Sequence, residues 1–346
     1  MLLCLAGAGL FVFPMSSSFR FSTAFPLLAW IALAVGFQPW SHAQSTDGTL
    51  TGRALKNGLL ALYELDYHLH AGLERPVSLE EWLDLSVADG RKAVVLLDHL
   101  ELYRKLPEEY LRWKPHDQLP YKMGRAGHRQ FFEQVDAMRE RRKDLLIFKG
   151  WEISETELDT GLDLEAMRLV DVVGWHISPN NGRKAPDGRH LLRRARQVLE
   201  AQKQVPVPMI LFHPFTMRVE NIQRTALAHG RDLMSITVDE YRFFRGNEQK
   251  ELADLLRGTS VYIEISRESG DCKRDPVCWE ALVADIRPLA EMGVQFTVST
   301  DAHGVADLTR TFRPEEFCAE LGCTPENTNT LLRELLAIRA RQSLRQ

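Results

Sequence analysis

Seven short apolar runs, rich in β-branched residues, alternate with longer segments of helical periodicity along most of the chain. The runs have the length of buried strands, and the segments between them repeat apolar positions every three or four residues. Ser78, followed three residues later by Glu81, is typical of a helix N-terminus. The predicted strands are Tyr63–Leu69, Ala93–Leu97, Leu145–Trp151, Val170–His176, Pro208–Phe212, Ser260–Ile265 and Val294–Ser299, and the predicted helices are Ser78–Ala88, Arg129–Arg142, His190–Gln202, Asn247–Arg257, Cys278–Met292 and a C-terminal helix in Thr324–Gln346.

Alternating strands and helices predict an α/β fold in which parallel strands are joined by right-handed crossovers. Seven such units with no visible domain boundary favour one closed or nearly closed barrel, and an open doubly wound sheet is the alternative. Residues 100–127 and 178–190 interrupt the alternation, the first with charged, proline and aromatic residues and the second with turn residues. Both follow a predicted strand, so we expect them to project from one rim and shape access to it.

The N-terminal segment differs from the rest of the chain. Residues 1–43 contain no acidic residue and one basic residue, Arg20, and the apolar stretch Phe25–Phe37 is followed by Ser41-His42-Ala43. This pattern predicts a secretory signal cleaved after Ala43, and hence a periplasmic or secreted protein without stable membrane association. An uncleaved membrane anchor is the alternative. The predicted division is a signal peptide at 1–43, with Met15 as a second possible start, a linker at 44–60 and a barrel domain at 61–346.

Four cysteines follow the predicted signal, in two close pairs. An even number of cysteines agrees with export, and the simplest connectivity is local: Cys272 with Cys278, and Cys318 with Cys323. Both disulfides would close short loops and stabilise the fold only modestly. A zinc site formed by the two pairs is the alternative.

Overall composition bounds the class of partner. The chain has 346 residues, 45% of them hydrophobic, and a formal net charge of -4. It is long enough to bury a large core, but its charge provides no basic face for duplex nucleic acid. Small anionic substrates remain compatible, because bound metals and a few local cations can outweigh a mildly negative total.

Histidines and carboxylates stand at the ends of the predicted strands. Asp66, His68 and His70 alternate along the first strand and therefore share one face, so the two histidines can bind one metal while Asp66 orients a ring nitrogen. Glu264 points inward on the sixth strand, where it supports this site or pairs with a core cation. Imidazoles and carboxylates at one rim predict a multi-metal hydrolytic centre. The other members of the set are His99, Glu152, His176, His213, Asp301 and His303.

These residues lie in motifs that resemble the polymerase and histidinol phosphatase (PHP) family of metal-dependent phosphoesterases. The motifs occur in the family's order and span most of the chain after the leader. The resemblance implies a distorted (β/α)7 barrel with a centre of two or three divalent metals at the C-terminal ends of the strands. The matching segments are Asp66-Tyr-His-Leu-His70, the run from Gly90 to Asp98-His99, Gly150-Trp-Glu152, Val172-Val-Gly-Trp-His176, Leu211-Phe-His213-Pro214 and Ser299-Thr-Asp301-Ala-His303.

The resemblance also implies a ligand set. The family's Ser-Asp-Gly after the first histidine pair is absent here, and Gly72-Leu-Glu-Arg-Pro76 stands in its place. Glu74 is therefore the predicted acidic ligand of a third metal, because glutamate can replace aspartate as a hard oxygen ligand. The alternative is a surface carboxylate beside a weakened or empty third site. The implied ligands are His68, His70, Glu152 and Asp301 for the first metal, Glu152, His176 and His213 for the second, and His99, His303 and Glu74 for the third.

The same resemblance implies a mechanism without a covalent enzyme intermediate. A hydroxide between the first two metals would attack phosphorus, and His99 or His303, if not metal-bound, would protonate the leaving group, with Asp301 completing the catalytic set. Zinc, manganese and iron all suit such ligands. Arg183, Arg189 and Arg218 are candidate phosphate contacts, although solvated surface arginines are the alternative.

The predicted function is therefore an exported metal-dependent phosphoesterase that acts on a small phosphorylated substrate. One alternative is an amidohydrolase-like hydrolase of an amide or ester, since related rims serve several chemistries. Those enzymes commonly use a modified lysine as the bridge, where this chain has Glu152. A non-catalytic metal-binding module is the second alternative.

Overall fold

A single sheet of seven parallel strands forms the centre of the molecule, with each strand beside its neighbour in sequence. The structure, a computed structural model, describes residues 59–71, 78–105, 125–178, 185–308 and 313–343. Every strand prediction corresponds to an observed strand. The strands are β1 Leu65–His70, β2 Ala93–Leu97, β3 Leu146–Ser154, β4 Val172–His176, β5 Met209–Phe212, β6 Val261–Ser266 and β7 Phe296–Ser299.

The sheet curls until its first strand meets the segment after its last. Leu69 forms a parallel bridge with Ala302, and the backbone N–H of His70 donates to the carbonyl of Ala302 at 3.2 Å. The register between β1 and β2 shifts between Asp66 and Leu69, so the barrel is distorted at this strand. The predicted distorted (β/α)7 barrel is confirmed, and the open doubly wound alternative is wrong.

Most strand residues are buried on both faces, because helices cover the outside and side chains fill the inside. Ser78 caps the first helix as predicted, accepting a hydrogen bond from the backbone N–H of Glu81 at 3.2 Å. The α-helices are Leu79–Ala88, Arg125–Arg141, Glu157–Thr160, Leu164–Met167, Gly188–Gln204, Pro214–Ala228, Val238–Tyr241, Glu248–Leu256, Arg267–Asp271, Pro276–Glu291, Val305–Leu308, Glu315–Cys318, Pro325–Thr328 and Thr330–Ser343, and the short 3-10 helices are Leu62–Glu64, Leu100–Arg104, Leu233–Ser235 and Cys272–Arg274.

Several helical segments differ from the sequence prediction, which lacks most of the short helices. The helix Pro214–Ala228, which begins directly after His213, was not predicted. Pro214 occupies its first turn, where the missing N–H of proline costs no hydrogen bond. The single C-terminal helix predicted in Thr324–Gln346 is instead two helices, Pro325–Thr328 and Thr330–Ser343.

Several predictions fall on residues outside the described ranges. These include the signal peptide at 1–43, nearly all of the linker at 44–60, residues 106–124 of the first interruption and residues 179–184 of the second. They stay predictions. Among the helices of the described ranges, none is long and apolar enough to cross a membrane.

The four cysteines of the described residues are thiols in the structure. The thiol of Cys272 raises the pKa of its predicted partner Cys278, and burial together with the thiol of Cys323 raises the pKa of Cys318. No group of potential metal ligands among the described residues includes a cysteine, which disfavours the zinc alternative. The two disulfides stay a prediction.

Candidate metal centre

The C-terminal ends of the strands bring the predicted histidines and carboxylates together at one rim. Their potential ligand atoms form four overlapping groups, and within each group all of these atoms lie within 4.8 Å of one another. Metal–ligand bonds of about 2.1 Å place two donors of one ion at most about 4.2 Å apart, so small side-chain movements would suffice for binding. The groups are His68, His70 and Asp301; Glu152, His176 and His213; His70, His99 and His303; and His68, His213 and Glu264.

Glu152, on β3, stands at the centre of the rim, and its two carboxylate oxygens face different histidines. Its Oε2 lies 3.2 Å from Nε2 of both His68 and His70. Its Oε1 lies 2.8 Å from Nδ1 of His176 and 3.5 Å from Nε2 of His213. A carboxylate in this position can contribute one oxygen to each of two neighbouring cations.

Asp301 completes the group around the first histidine pair. Its Oδ1 lies 3.3 Å from Nε2 of both His68 and His70, and its Oδ2 lies 3.8 Å from Nε2 of His213. Asp301 and His213 both have left-handed backbones, with φ of 51° and 59°. Non-glycine residues adopt this conformation uncommonly, and at functional sites it aims side chains that a regular strand end would point elsewhere.

The third group consists of His70, His99 and His303. Their rings are close: the centroid of His70 lies 3.9 Å from that of His303 and 4.7 Å from that of His99. His99 also approaches Glu152, with 3.3 Å between Nδ1 and Oε2. Glu74, the predicted acidic ligand of this site, lies outside the described residues and stays a prediction.

Neighbouring histidines strongly shift the pKa values of the two carboxylates at the rim, Glu152 and Asp301. Burial alone would raise the pKa of Glu152, but His99 and His68 outweigh it and hold this pKa well below its usual range. Burial likewise opposes ionisation of Asp301, yet His68 and His213 lower the pKa of this carboxyl. Two buried carboxylates therefore stay ionised at one point of the rim, as a cation site requires.

The pKa values of the buried histidines shift in different directions, although the carboxylates raise all of them. Burial lowers the pKa of His213, but Glu264 and Asp301 overcome it and raise this pKa to about 10. The pKa of His68 is also raised, because Asp301, Glu264 and Glu152 together outweigh burial. Burial and the neighbouring His303 instead lower the pKa of His70 to about 4.

Glu264, on β6, contacts His68 and His213 at the rim. The alternative prediction, that it pairs with a core cation, is wrong. Its Oε1 lies 2.7 Å from Nδ1 of His68 and accepts a hydrogen bond from Oγ of Ser299 at 2.5 Å. Its Oε2 accepts from the backbone N–H of His213 at 2.9 Å and lies 3.2 Å from Nδ1 of the same residue.

The orienting role predicted for Asp66 is wrong, since Glu264 holds the ring nitrogen of His68. Asp66 instead accepts hydrogen bonds from Oγ1 of Thr300 at 2.6 Å and from the backbone N–H of Thr300 at 3.1 Å. It also accepts from the backbone N–H of His68 at 3.3 Å. Asp66 lies two residues deeper in the barrel, so it ties β1 to the segment that carries Asp301.

The candidate phosphate-binding arginines do not converge on the rim. All three guanidinium nitrogens of Arg218 donate at 2.9 Å to backbone carbonyls, those of Tyr241, Pro186 and Glu240, which corrects its predicted role. Arg189 is 88% exposed and pairs with Glu248 on a neighbouring helix, so it also behaves as a surface arginine. Arg183 lies outside the described residues.

An aromatic support that the sequence analysis missed lies behind the first histidine. The ring of Phe212 stacks on the imidazole of His68, with centroids 3.8 Å apart and planes 27° apart. Phe212 reaches this position over Gly174, where an added Cβ would lie only 1.7 Å from its Cε2. The sequence predicts Phe212 and Gly174 as strand residues, but their contact depends on the curvature of the barrel.

No family model matches the sequence, and no curated protein matches it. The solved structures that are similar to the chain include two at 14% identity. One, provisionally assigned as the histidinol phosphatase HisK of Listeria monocytogenes, has a TM-score of 0.47, and the match covers 73% of this chain and 100% of that chain. The other is histidinol phosphate phosphatase (HisK) from Lactococcus lactis subsp. lactis Il1403 complexed with zinc, L-histidinol and phosphate, with a TM-score of 0.44 and coverage of 76% and 95%. The fold assignment rests on the chain's own strand order.

Proposed function

We propose that the chain is a metal-dependent phosphoesterase of the PHP type that hydrolyses a small phosphorylated substrate. The observation that carries the proposal is the position of Glu152. One of its oxygens faces the pair His68 and His70, and the other faces His176 and His213. This arrangement fits two adjacent divalent cations that share one carboxylate.

The donor set fits zinc, manganese or iron, because it mixes imidazole nitrogens with carboxylate oxygens. Bound divalent cations would lower the pKa of a water molecule and neutralise charge on phosphoryl oxygens. Asp301 would bind beside the first histidine pair, to which it is already close. The proposed ligands are His68, His70, Glu152 and Asp301 at the first site, Glu152, His176 and His213 at the second, and His99 and His303, with Glu74 as the expected oxygen donor, at the third.

Either of two histidines at the mouth of the rim, His99 or His303, would protonate the leaving group if it is not bound to a metal. His68 and His70 are fully buried, whereas the side chain of His99 is 17% exposed and that of His303 is 41% exposed. A proton donor must reach the substrate oxygen directly or through one water, so the exposed position favours His303. Its ring is oriented by its own segment, with Nδ1 lying 3.0 Å from the backbone carbonyl of Asp301.

The bridging residue also separates phosphoester from amide chemistry. Glu152 occupies the position between the two histidine groups, where amidohydrolase-like enzymes commonly use a modified lysine. We therefore favour phosphoester hydrolysis. Hydrolysis of a carboxylic ester or amide and metal binding without catalysis are outcomes that the following experiment distinguishes.

The test combines metal analysis with turnover. Purified protein is analysed for bound metal and assayed with p-nitrophenyl phosphate, bis(p-nitrophenyl) phosphate and p-nitrophenyl acetate. We expect at least two metal ions per chain and hydrolysis of a phosphate ester, both lost in Glu152→Ala and Asp301→Ala. Glu200→Ala, at an exposed carboxylate on the outer helix Gly188–Gln204, is the control. Bound metal without phosphoester turnover, or turnover undiminished in both site variants, would contradict the proposal.

We also propose that the protein is exported and that its leader is removed. The support is the apolar leader with small residues before a cleavage position after Ala43. Expression of the full chain in a Gram-negative host, followed by N-terminal sequencing of the periplasmic fraction, tests this. A mature N-terminus at Gln44 is expected, and a full-length chain retained in the membrane fraction would favour the anchor.

A further inference from the structure

We infer that Glu264 is a positioning residue that fixes one histidine ligand of the first metal and one of the second, and that this coupling is asymmetric. The inference rests on the proposed function. Glu264 is buried within β6, and its carboxylate lies between His68, which belongs to the first group, and His213, which belongs to the second. One side chain therefore contacts both halves of the proposed centre.

The hydrogen bonds around Glu264 define what it can do. The hydroxyl of Ser299 and the backbone N–H of His213 already donate to its oxygens, so the carboxylate acts as an acceptor. Nδ1 of His68 and of His213 then carry the hydrogen that faces it, at 2.7 Å and 3.2 Å. The tautomer of an imidazole is set by the bond that its other nitrogen makes.

The consequence reaches the proposed metal positions. With Nδ1 of each ring protonated and held by Glu264, Nε2 is the nitrogen that would release its proton to a binding cation and offer its lone pair. Nε2 of His68 faces Glu152 and Asp301, and Nε2 of His213 faces the same two carboxylates from the other side. Glu264 thus orients one nitrogen donor toward each site, as carboxylates behind metal-binding histidines commonly do.

A glutamine at position 264 would keep the contact with His213 and disrupt the contact with His68. The backbone N–H of His213 can only donate, so the amide oxygen of the glutamine must take the place of Oε2. The amide nitrogen then takes the place of Oε1 and faces Ser299 and His68. The hydroxyl of Ser299 can turn and accept, whereas Nδ1 of His68 can accept only if its hydrogen moves to Nε2.

That tautomer of His68 cannot bind a metal through Nε2. Glu264→Gln should therefore weaken the first site and spare the second, although both sites contact the same residue. Glu264→Ala should weaken both, because neither ring then has a partner at Nδ1. Removal of such a supporting partner typically lowers metal affinity about 10–100-fold.

Metal binding is measured by zinc titration of the chelator-treated protein in competition with a chromophoric chelator. We expect two tight sites in the wild type, one in Glu264→Gln and none in Glu264→Ala. His176→Ala identifies the remaining site. Added to Glu264→Gln, it should abolish tight binding, because His176 lies beside Oε1 of Glu152, the oxygen that faces the second site. Far-UV circular dichroism and thermal unfolding monitor the fold of each variant.

Glu334→Gln is the matched control, since it also alters a carboxylate that contacts β6. Glu334 accepts hydrogen bonds from the hydroxyls of Ser260 and Tyr262 at 2.6 Å and 2.8 Å, and both of those hydroxyls can turn to suit an amide. Zinc stoichiometry should be unchanged in this variant. If Glu264→Gln fails to fold, Glu264→Asp replaces it. The aspartate side chain is one methylene group shorter, so its carboxylate oxygens lie farther from His68 and His213, and binding at both sites should weaken.

The outcomes separate this inference from the proposed function. Two unaltered tight sites in folded Glu264→Gln, or loss of the second site in place of the first, would overturn the asymmetric coupling and leave the metal centre intact. A wild type that binds no zinc, manganese or iron would instead contradict the proposed function itself. Loss of both sites in folded Glu264→Gln would also overturn the asymmetry.

Discussion

The imidazole of His68 lies face to face with the ring of Phe212, their centroids 3.8 Å apart. The two residues come from β1 and β5, so the contact crosses the interior of the barrel. Phe212 is fully buried, and Gly174 on the adjacent strand β4 provides the space for its edge. A histidine held between an aromatic ring and a buried carboxylate has little rotational freedom, which would lower the entropic cost of binding a metal.

The first prediction concerns that space. In Gly174→Ala the new Cβ would lie 1.7 Å from Cε2 of Phe212, so the ring must move and His68 loses its support. Overpacking of this kind costs about 1–3 kcal/mol, and we expect a lower denaturation midpoint and weaker binding at the first metal site. Urea unfolding and zinc titration measure both effects.

A double variant provides the control. Phe212→Leu removes the ring atoms that the new methyl group would meet, so Gly174→Ala should cost less in that background than in the wild type. Additive losses would show that the two residues do not compete for space.

The second prediction tests the corrected role of Asp66. Its carboxylate accepts from the backbone N–H and the hydroxyl of Thr300, and an asparagine can keep both contacts because the hydroxyl can also accept. We expect Asp66→Asn to retain metal and to lose less stability than Asp66→Ala, the loss of the charge that faces the buried Arg91 at 3.7 Å being common to both. Asp66→Ala would leave buried donors without an acceptor, at a cost of about 1–3 kcal/mol for each.

Thermal unfolding and metal content of the two variants decide between the roles. Loss of metal from folded Asp66→Asn would show that Asp66 orients a ring after all. Equal stability of the alanine variant and the wild type would show that the bonds to Thr300 are dispensable.

The contrast between Asp66 and Glu264 shows where sequence reasoning ends. Period-two alternation places Asp66, His68 and His70 on one face of β1, and the structure agrees with that. Alternation predicts which face of the strand a side chain is on, but not how deep in the barrel it lies. That depth decides which carboxylate contacts an imidazole nitrogen. The partner of His68 comes instead from β6, through a register between distant strands that no local pattern contains.

The long helix Pro214–Ala228 was missed for a local reason. The strands were predictable because their apolar runs are buried on both faces and end in polar residues. The helix Pro214–Ala228 buries Thr216 and Asn221 along with apolar residues, so its periodicity is blurred. Its start also coincides with His213, whose left-handed backbone is not that of an ordinary N-cap and whose ring lies in the candidate metal centre.

The third prediction concerns pH in the metal-free protein. The pKa of His213 is raised from 6.5 to about 10, so the proton on its ring stabilises the fold fully below pH 6.5, and this contribution is lost as the pH rises to about 10. We expect the melting temperature of chelator-treated protein to fall across that interval. The metal-loaded protein should show a smaller fall, because the cation replaces the proton between the carboxylates.

Thermal unfolding between pH 6 and pH 10, with and without zinc, checks the sign. His229→Ala, which removes an exposed histidine from the end of the helix Pro214–Ala228, is the control and should show the same profile as the wild type. A metal-free protein that gains stability over this interval would contradict the raised pKa.

The fourth prediction concerns the cysteines. Within each predicted pair one thiol raises the pKa of the other, as is expected of neighbouring thiols: Cys272 acts on Cys278, and Cys323 on Cys318. We expect protein isolated from an oxidising compartment to contain both disulfides, and reduction to lower the free energy of unfolding by about 2 kcal/mol for each short loop. Alkylation followed by mass spectrometry counts the free thiols. Four alkylated cysteines in unreduced, secreted protein would contradict the prediction.

The last prediction separates proton donation from metal binding at His303. Its side chain is 41% exposed, and its ring lies 3.9 Å from that of His70, so it can face either the substrate or a third metal. If it protonates the leaving oxygen, His303→Ala should slow hydrolysis of phenyl phosphate about 100- to 10,000-fold. The same substitution should affect p-nitrophenyl phosphate much less, because nitrophenolate leaves without a proton.

Metal content makes this test specific, because a proton donor can be removed without loss of a cation. If His303 is the proton donor and not a ligand of the third metal, His303→Ala should keep the wild-type number of metal ions, and its kcat with phenyl phosphate should depend less on pH than the wild-type kcat does. His303→Gln, which restores a polar side chain without an acidic proton, should be as slow as the alanine variant with phenyl phosphate. Equal losses with both substrates, together with one metal ion fewer per chain, would instead identify His303 as a ligand, and the exposed mouth of the rim would then be where a third cation meets the substrate.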